Sequence, residues 1–537
     1  MATISIVMGQ INPIVGDIEG NAQRMIEAAL SAQSAYHADI IVFPELALSG
    51  YPPEDLLLRS ELYDRIARAK RQLAQMLPNM VVVMGHPDYR DHHYYNAASV
   101  CIAGQWIVTY DKQYLPNYAV FDEKRYFSAG NEAVVFVYQG VTFGLTICED
   151  IWHPEPAAEA AAKGAIILLN LNASPYQEDK QTQRETIIRQ RVKETGCTII
   201  SVNMVGGQDE LVFDGTSFAI SAQQDIVAKA NCFTSELHPI AIETQDQCWQ
   251  YHSEVIMPPS RLALTYQALV VGIRDYLRKN GFRQVVLGLS GGIDSALTLA
   301  LAIDAVGSEN VTTLMMPSKY TAKMSIDDAK TMAETCRVAH HVVPITAVFE
   351  QFNTMLQPIL PACGHNLTEQ NIQARSRGLC LMAWSNQTGA LLLSTGNKSE
   401  LAVGYATLYG DMAGGFAPLK DVYKTMVYQL ARYRNQQSEI IPARIITRAP
   451  SAELAADQLD QDTLPPYEQL DAILTQYLAE EASIKQIAEM GIAYSLVEKV
   501  IRMVDSNEYK RRQASPGVIV SNRAFGRDRR YPITSKF

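Results

Sequence analysis

Gly288-Leu289-Ser290-Gly291-Gly292-Ile293-Asp294-Ser295 is the stretch on which the reading of this chain turns. It follows an apolar run, 285–287, and opens into a helix-forming run, 296–302. A strand that turns through small residues into a helix aims several backbone N–H groups at one point. The helix N-terminus adds its positive dipole end there. Such a turn is a pocket for phosphate. No Lys-Ser/Thr pair closes it, as in the Walker loop, and the glycines do not follow the dinucleotide Gly-x-Gly-x-x-Gly spacing. The plainer alternative is a Gly-rich turn in which Ser290 or Asp294 only caps the helix. The strand-turn-helix context favours phosphate.

Outward from this loop, strands expected over 284–289, 311–316, 342–345 and 390–394 alternate with helices, beginning with a helix over 261–279. That alternation predicts an α/β domain with a doubly wound, Rossmann-like parallel sheet. Helices over 467–478 and 483–490 are expected at its periphery. The first half reads differently. Strands are expected over 3–9, 39–44, 80–85, 98–103, 141–147, 165–170 and 198–205, with helices such as 21–33 and 61–76 between some of them. This suits a layered α/β domain with strands buried by helices. From 233 to 260 the sequence turns polar and irregular and closes on Pro258-Pro259. The division is therefore 1–240 for the first domain, 241–260 for a linker and 261–537 for the second.

A chain of 537 residues is too long for one core. No segment approaches the roughly 18 uninterrupted apolar residues of a membrane span. The start, Met1-Ala2-Thr3-Ile4-Ser5-Ile6-Val7, lacks the basic region of a signal peptide. Eight cysteines without a Cys-x-x-Cys pair argue against a zinc site or disulfide framework, and a cytoplasmic location is expected. The formal charge of −11 disfavours generic nucleic-acid binding. Lys510, Arg511, Arg512, Arg523, Arg527, Arg529 and Arg530 run against that average. They read equally as a solvated tail or as the seat of a second phosphorylated molecule.

Three polar residues follow β-rich runs in the first half. Glu45 stands in Phe43-Pro44-Glu45-Leu46, Lys112 in Asp111-Lys112-Gln113-Tyr114, and Cys148 in Ile147-Cys148-Glu149-Asp150. An unperturbed thiol is barely ionised at neutral pH, so a nucleophilic cysteine needs a base or a cation nearby. In the second half Asp294 offers a hard oxygen for the magnesium that accompanies ATP. Glu400, in Thr395-Gly396-Asn397-Lys398-Ser399-Glu400, stands at another strand-to-helix junction and is read as its partner on one metal. The alternative makes Asn397 or Ser399 a helix cap with Glu400 as its capping partner.

The Ser-Gly-Gly-x-Asp-Ser loop resembles that of ATP pyrophosphatases, which cleave ATP to AMP and pyrophosphate. Glu45, Lys112 and Cys148, in that order and with those flanks, resemble the triad of the nitrilase superfamily, whose fold is an α-β-β-α sandwich. The segments 288–295, 371–375, 395–400 and 464–467 are similar in order and content to those of NAD synthetases. The whole chain thus resembles the glutamine-dependent NAD synthetases, which form NAD from deamido-NAD, ATP and glutamine. The resemblance implies Glu45 as general base, Cys148 as nucleophile and Lys112 as oxyanion stabiliser, with Glu123 supporting the lysine. It implies Tyr118, Ser174 and Lys180 as glutamine-binding residues. It further implies that 288–295 and Thr395 bind ATP, and that Asn371, Glu400 and Lys510 contact deamido-NAD. Lys319 is a further candidate for phosphate. Magnesium at Asp294 and Glu400 is the expected cofactor, small molecules are the expected partners, with no nucleic acid and no membrane, and the family favours a homo-oligomer. Other glutamine-using ATP pyrophosphatases fit less well. Residue 2 is alanine, where asparagine synthetases need an N-terminal cysteine, and Cys148 lies outside the Gly-x-Cys-x-Gly elbow of GMP synthetases. tRNA-thiolating relatives would want a basic surface. An amidase fused to a non-catalytic nucleotide sensor stays as the alternative from another class, disfavoured by the presence of both Asp294 and Glu400.

Overall fold

The computed structural model describes residues 2–535 apart from 78, 246–247, 361–366 and 456–457. It forms two compact units, Met1–Ser260 and Arg261–Phe537. Among the described residues no helix is long and apolar enough to cross a membrane.

In the first unit the strands are β1 Ala2–Gln10, β2 Ile40–Val42, β3 Val81–Arg90, β4 His93–Ile102, β5 Gln105–Asp111, β6 Val135–Tyr138, β7 Val141–Ile147, β8 Ile167–Asn172, β9 Thr198–Asn203, β10 Val205–Gln208, β11 Leu211–Asp214, β12 Phe218–Ile220, β13 Ile226–Lys229, β14 Glu236–Gln245 and β15 Cys248–His252. They build two large sheets, in the orders β15-β14-β1-β2-β3-β4-β5 and β13-β12-β9-β8-β7-β6, while β10 and β11 form a separate hairpin. Successive side chains of a strand face opposite ways. Ile4, Ile6, Met8, Val81 and Val83 of one sheet therefore meet Phe143, Leu145, Ile147, Leu169 and Leu171 of the other in a dry core. Helices α1 Ile18–Tyr36 and α2 Ser60–Met76 accompany the first sheet, and α3 Pro154–Ala162 and α4 Lys180–Thr195 pack on the outer face of the second. The unit is an α-β-β-α sandwich, as the sequence predicts.

The expected linker over 241–260 is not one. β14 pairs antiparallel with β1 along its whole length, from Ala2 opposite Thr244 to Gln10 opposite Glu236, and β15 pairs with β14. Asp246 and Gln247 lie outside the described residues. Ile240 and Ile242 alternate inward from β14, so the segment belongs to the first unit's core. The two units divide directly between Ser260 and Arg261.

In the second unit β16 Val285–Gly288, β17 Val311–Met315, β18 Ala339–Val342 and β19 Leu391–Leu393 form an all-parallel sheet in the order β18-β17-β16-β19. Its helices are α5 Arg261–Asn280, α6 Ile293–Val306, α7 Lys323–Cys336, α8 Thr346–Leu356, α9 Leu367–Thr388, α10 Lys398–Val403, α11 Lys424–Gln437, α12 Ala443–Thr447, α13 Tyr467–Leu478, α14 Ile484–Glu489, α15 Tyr494–Ser506 and α16 Glu508–Arg511. Val285, Val286 and Leu287 are all fully buried, so both faces of β16 are covered. That is the pattern of a parallel sheet sheathed by helices. The strand expected at 342–345 lies earlier, at β18. The last helices are not peripheral: Leu470, Ile473 and Leu474 of α13 pack with Val497, Val500 and Val504 of α15 in a second core. Asp471 of α13 accepts hydrogen bonds from Ser399 Oγ (2.5 Å) and from the Thr425 N–H (2.9 Å), which ties α13 to the starts of α10 and α11.

Candidate active sites

Cys148 is the first residue after β7 and opens a short helical turn, Cys148–Trp152. Its φ of +42° puts a non-glycine residue in the left-handed region. Such a conformation costs on the order of 1–3 kcal/mol and persists where the surroundings over-determine it. Asp150 does much of that work. Its Oδ2 accepts from the Ile147 N–H (2.9 Å) and the Tyr110 hydroxyl (2.8 Å). Its Oδ1 accepts from the N–H groups of Gln113 (3.0 Å) and Tyr114 (2.8 Å). One carboxylate thereby fastens the cysteine turn to the segment carrying Lys112. Burial raises the Asp150 carboxyl to about 6, against the pull of those backbone donors.

The Lys112 ammonium donates to Glu45 Oε1 (2.7 Å) and Glu123 Oε1 (2.9 Å), and all three side chains are buried. Burial alone would depress the lysine, but Glu123 and Glu45 outweigh it and hold the ammonium well above its ordinary range. An ammonium has three N–H groups, so a third remains for substrate. Glu45 also accepts from Asn96 Nδ2 (2.7 Å) and, through Oε2, from the Ala173 N–H (2.9 Å). Its chain segment sits close against β3. A Cβ on Gly85 would lie 2.3 Å from the Leu46 nitrogen, so only glycine fits there. Burial raises Glu123 despite Lys112, and Tyr51 donates to it at 2.9 Å. The Cys148 thiol is pushed well up, by burial first and then by Glu45, with Lys112 opposing.

Of the three expected glutamine residues, Tyr118 and Lys180 contact the Cys148–Trp152 turn, and Ser174 follows Ala173, whose N–H donates to Glu45. Tyr118 is half exposed and its hydroxyl donates to the carboxylate of Glu149, next to Cys148 (2.9 Å). Lys180 begins α4 with its ammonium 4.4 Å from the Trp152 ring. Burial and then Arg184 depress it, while Cys148 and Glu149 pull it back up. Ser174 is buried, and Asn203 brackets its backbone at both N–H (2.9 Å) and carbonyl (3.1 Å).

In the second unit a cavity of about 280 Å³ is lined by all of 288–295, by Thr395 and Glu400, and by Lys424, Asp411 and Arg448. Gly291 has φ +80°, and a Cβ there would lie 2.4 Å from the Ser325 carbonyl oxygen, so the loop needs glycine on both counts. Gly292 is the N-cap of α6, whose first turn carries Asp294. Asn397 caps α10 by accepting from the Glu400 N–H (3.0 Å), which realises the cap of the alternative reading but not Glu400 as its capping partner. Asn397 also donates Nδ2 to Asp294 Oδ1 (2.9 Å), and the Glu400 carboxylate points elsewhere.

It points at Lys424. The ammonium of this residue lies 2.6 Å from Asp294 Oδ2 and 3.0 Å from Glu400 Oε1. Burial would depress it, but Asp294 and Glu400 outweigh burial and hold it well above the ordinary lysine. Burial also raises Glu400 and Asp460. The sequence reading missed Lys424, although a signal exists: it is the first residue of α11, where a cation opposes the helix dipole. Two carboxylates converging on one ammonium are close enough to share one ion, and magnesium characteristically takes one or two carboxylates plus substrate phosphates. Among the described residues no group of three or more His, Cys, Asp or Glu side chains is arranged to hold a metal. The donor set thus fits a magnesium that arrives with nucleotide.

Asn371 and Lys510 are outside the cavity lining and secure the segment after α10. Thr407 Oγ1 donates to Asn371 Oδ1 (2.9 Å), and Lys510 donates to the carbonyls of Gly404 (2.7 Å) and Ala406 (3.0 Å). Tyr405 and Asp411 line the cavity from the same stretch of chain. Lys319 lies 5.0 Å from the ring of Tyr320 and outside the cavity lining. The basic C-terminal cluster is not a solvated tail. Arg511 and Arg512 pair with Glu508 (3.0 and 2.8 Å), Arg523 with Glu481 (2.7 Å) and Arg529 with Asp505 (3.5 Å).

Comparison with known proteins agrees with this two-part architecture. The carbon-nitrogen hydrolase family model matches residues 5–247, and the NAD synthase family model matches residues 265–514. The chain is 46% identical to the glutamine-dependent NAD(+) synthetase of Acinetobacter baylyi, covering 100% of this chain and 99% of the relative. It is 42% identical to that of Aquifex aeolicus, covering 99% and 100%. The solved structure of glutamine-dependent NAD+ synthetase from Acinetobacter baumannii in complex with ADP superimposes with a TM-score of 0.81 at 44% identity, covering 99% of this chain and 98% of that one.

Proposed function

The chain belongs to the glutamine-dependent NAD(+) synthetase family, and on that premise we propose that it is a ligase converting deamido-NAD to NAD with ATP and glutamine. One observation carries this reading. A single chain holds a buried cysteine beside a Glu-Lys-Glu cluster and, in its other unit, an N–H loop facing two carboxylates in one cavity.

In the first unit the Cys148 sulfur attacks the side-chain amide carbon of glutamine while its proton passes to Glu45. The third N–H of Lys112 meets the oxyanion, where a preorganised donor in a dry site is most effective. The carbon–nitrogen bond then breaks, the nitrogen takes a proton from Glu45 and leaves as ammonia, and a thioester remains. Water, deprotonated by Glu45, hydrolyses it to glutamate and frees the thiol. Tyr118, Ser174 and Lys180 hold the amino-acid end of the substrate.

In the second unit the nicotinate carboxylate of deamido-NAD attacks the α-phosphorus of ATP, pyrophosphate leaves and an adenylate forms. Ammonia attacks the activated carbonyl carbon, giving NAD and AMP. The backbone N–H groups of 288–295 and Thr395 hold the phosphates, while Asn371, Glu400 and Lys510 serve deamido-NAD. Asp294 and Glu400 would hold magnesium, which would supply charge neutralisation at the phosphates. The activation is required because a carboxylate is a poor acceptor for ammonia.

The test is pyrophosphate release from ATP, measured with deamido-NAD and separately with nicotinate mononucleotide. Release that requires deamido-NAD, with NAD formed in equal amount, is expected. Glutamine hydrolysis without any nucleotide-dependent pyrophosphate release would instead make the second unit a sensor attached to an amidase.

A further inference from the structure

The lysine between Asp294 and Glu400 stands where a metal ion would have to come. Lys424 is almost fully buried, its ammonium contacts one oxygen of each carboxylate, and the ring of Tyr467 lies 5.1 Å away. Asp460 adds a third carboxylate to the cavity wall and accepts from the Tyr467 hydroxyl at 2.8 Å. Two carboxylates thus touch one ammonium, and the third lies close by in the same wall. A divalent cation bound to the same oxygens would meet that ammonium at short range in a poorly solvated site, where like charges repel strongly. The ammonium must withdraw before metal enters. The same cavity supplies a destination, because the phosphate loop 288–295 and Lys424 line it together.

We propose that Lys424 is an internal counter-cation that keeps the Asp294–Glu400 pair closed to magnesium until nucleotide phosphates draw its ammonium away, so that metal binding at this pair is conditional on ATP. The proposal rests on the reading of Asp294 and Glu400 as magnesium ligands. It explains why a cation starts α11 against the helix dipole. The backbone is fixed for the purpose: the Lys424 N–H donates to Ser399 Oγ at 2.9 Å, and Ser399 is held in turn by Asp471. The four-carbon stem can then swing from carboxylates to phosphate without moving the helix.

The test uses the full-length, nucleotide-free protein and manganese(II) alone as a paramagnetic substitute for magnesium, with free ion measured by electron paramagnetic resonance. Wild type is expected to bind weakly and K424M at least ~10-fold more tightly, since a repelling charge has been removed from contact with both ligands. Adding D294N to K424M is expected to abolish the gain. Equal affinity in wild type and K424M, with D294N weakening both, overturns the proposal and leaves the magnesium assignment standing. Indifference of both backgrounds to D294N and E400Q overturns the magnesium assignment itself. A K424M protein that folds only with metal present supports the proposal. If K424M folds under neither condition, two other proteins decide. K424R, which keeps the charge, must bind manganese as weakly as wild type, and stoichiometric tight binding by either K424R or nucleotide-free wild type overturns the proposal.

Discussion

Replacing Asp150 tests how the first site is held together. Its carboxylate accepts from four donors: the N–H groups of Ile147, Gln113 and Tyr114 and the hydroxyl of Tyr110. A buried donor left without an acceptor costs about 1–3 kcal/mol, so Asp150→Ala has several kcal/mol at risk. Part of that is returned. Burial raises the carboxyl from 3.8 to about 6, and ionising it in the fold at neutral pH therefore costs about 3 kcal/mol. The sign is that of a raised acid, whose destabilising contribution sets in as pH climbs from 3.8 to about 6. Stability is thus expected to fall only modestly, while geometry suffers more. Three of the donors, on Tyr110, Gln113 and Tyr114, lie within two residues of Lys112 and the fourth, on Ile147, precedes Cys148, so losing the carboxylate releases the lysine from the nucleophile. A displacement near 1 Å at reacting groups costs about a hundredfold in rate. Asp150→Ala should lower kcat for glutamine hydrolysis by roughly that factor, with a smaller change in KM and unchanged NAD formation from ammonium salt. Asp150→Asn, which keeps one acceptor oxygen, should fall between. The assays are glutamate release and direct NAD measurement on the same preparations. Full glutaminase activity in Asp150→Ala, or an equal loss of ammonium-driven synthesis, would refute the argument.

Cys148→Ala should lose glutamine-driven NAD formation by at least about a thousandfold and keep ammonium-driven formation, and Lys112→Ala should behave likewise. Asp294→Asn should slow pyrophosphate release by about two orders of magnitude with glutamine hydrolysis still measurable; normal release at limiting magnesium would reject the assignment. Lys510→Ala frees the carbonyls of Gly404 and Ala406, and is expected to raise KM for deamido-NAD while leaving that for glutamine unchanged. Burial lowers Lys70 to about 8 beside His86 and Ser99. A depressed lysine disfavours the fold while it is charged, so wild type should gain up to about 3 kcal/mol relative to Lys70→Met as pH rises from 7 to 10.5, read from paired denaturation curves. A flat difference between the two proteins would reject that account.

What was legible in the sequence is what short-range pattern controls. β7 and α13 begin and end where periodicity puts them, and Glu45, Lys112 and Cys148 announce themselves by following apolar runs. The hairpin of β14 and β15 was hidden because Pro239 interrupts β14, a feature that ordinarily demotes a strand. Only its pairing with β1, more than two hundred residues earlier, makes it a strand. Lys424 was hidden for a related reason. Its partners Asp294 and Glu400 lie 130 and 24 residues away, and its own helix start reads as a poor place for a cation. In the sequence Asp150 is only an acid two residues after a cysteine. Its function depends on donors 36–40 residues upstream that no local pattern connects to it.

The two sites answer one electrostatic problem in the same way and diverge because their substrates differ in charge. Each buries an ammonium between two carboxylates: Lys112 between Glu45 and Glu123, and Lys424 between Asp294 and Glu400. A buried ion pair is tolerable only when partners satisfy it, and removing one partner leaves an expensive charge. At the first site the reacting group is a neutral amide, which cannot compete for the ammonium. Lys112 therefore stays in place and offers its remaining N–H to an oxyanion that exists only during reaction. At the second site the incoming group is a polyphosphate, whose oxygens compete directly with Asp294 and Glu400. On the proposed reading, the same arrangement serves Lys112 as a fixed donor and Lys424 as a movable one. The contrast can be measured by comparing amine-labelling rates of the two lysines. Substrate glutamine should leave Lys112 protected, whereas ATP without metal should change the labelling of Lys424. Identical, ligand-insensitive protection of both would show that substrate charge does not govern the difference.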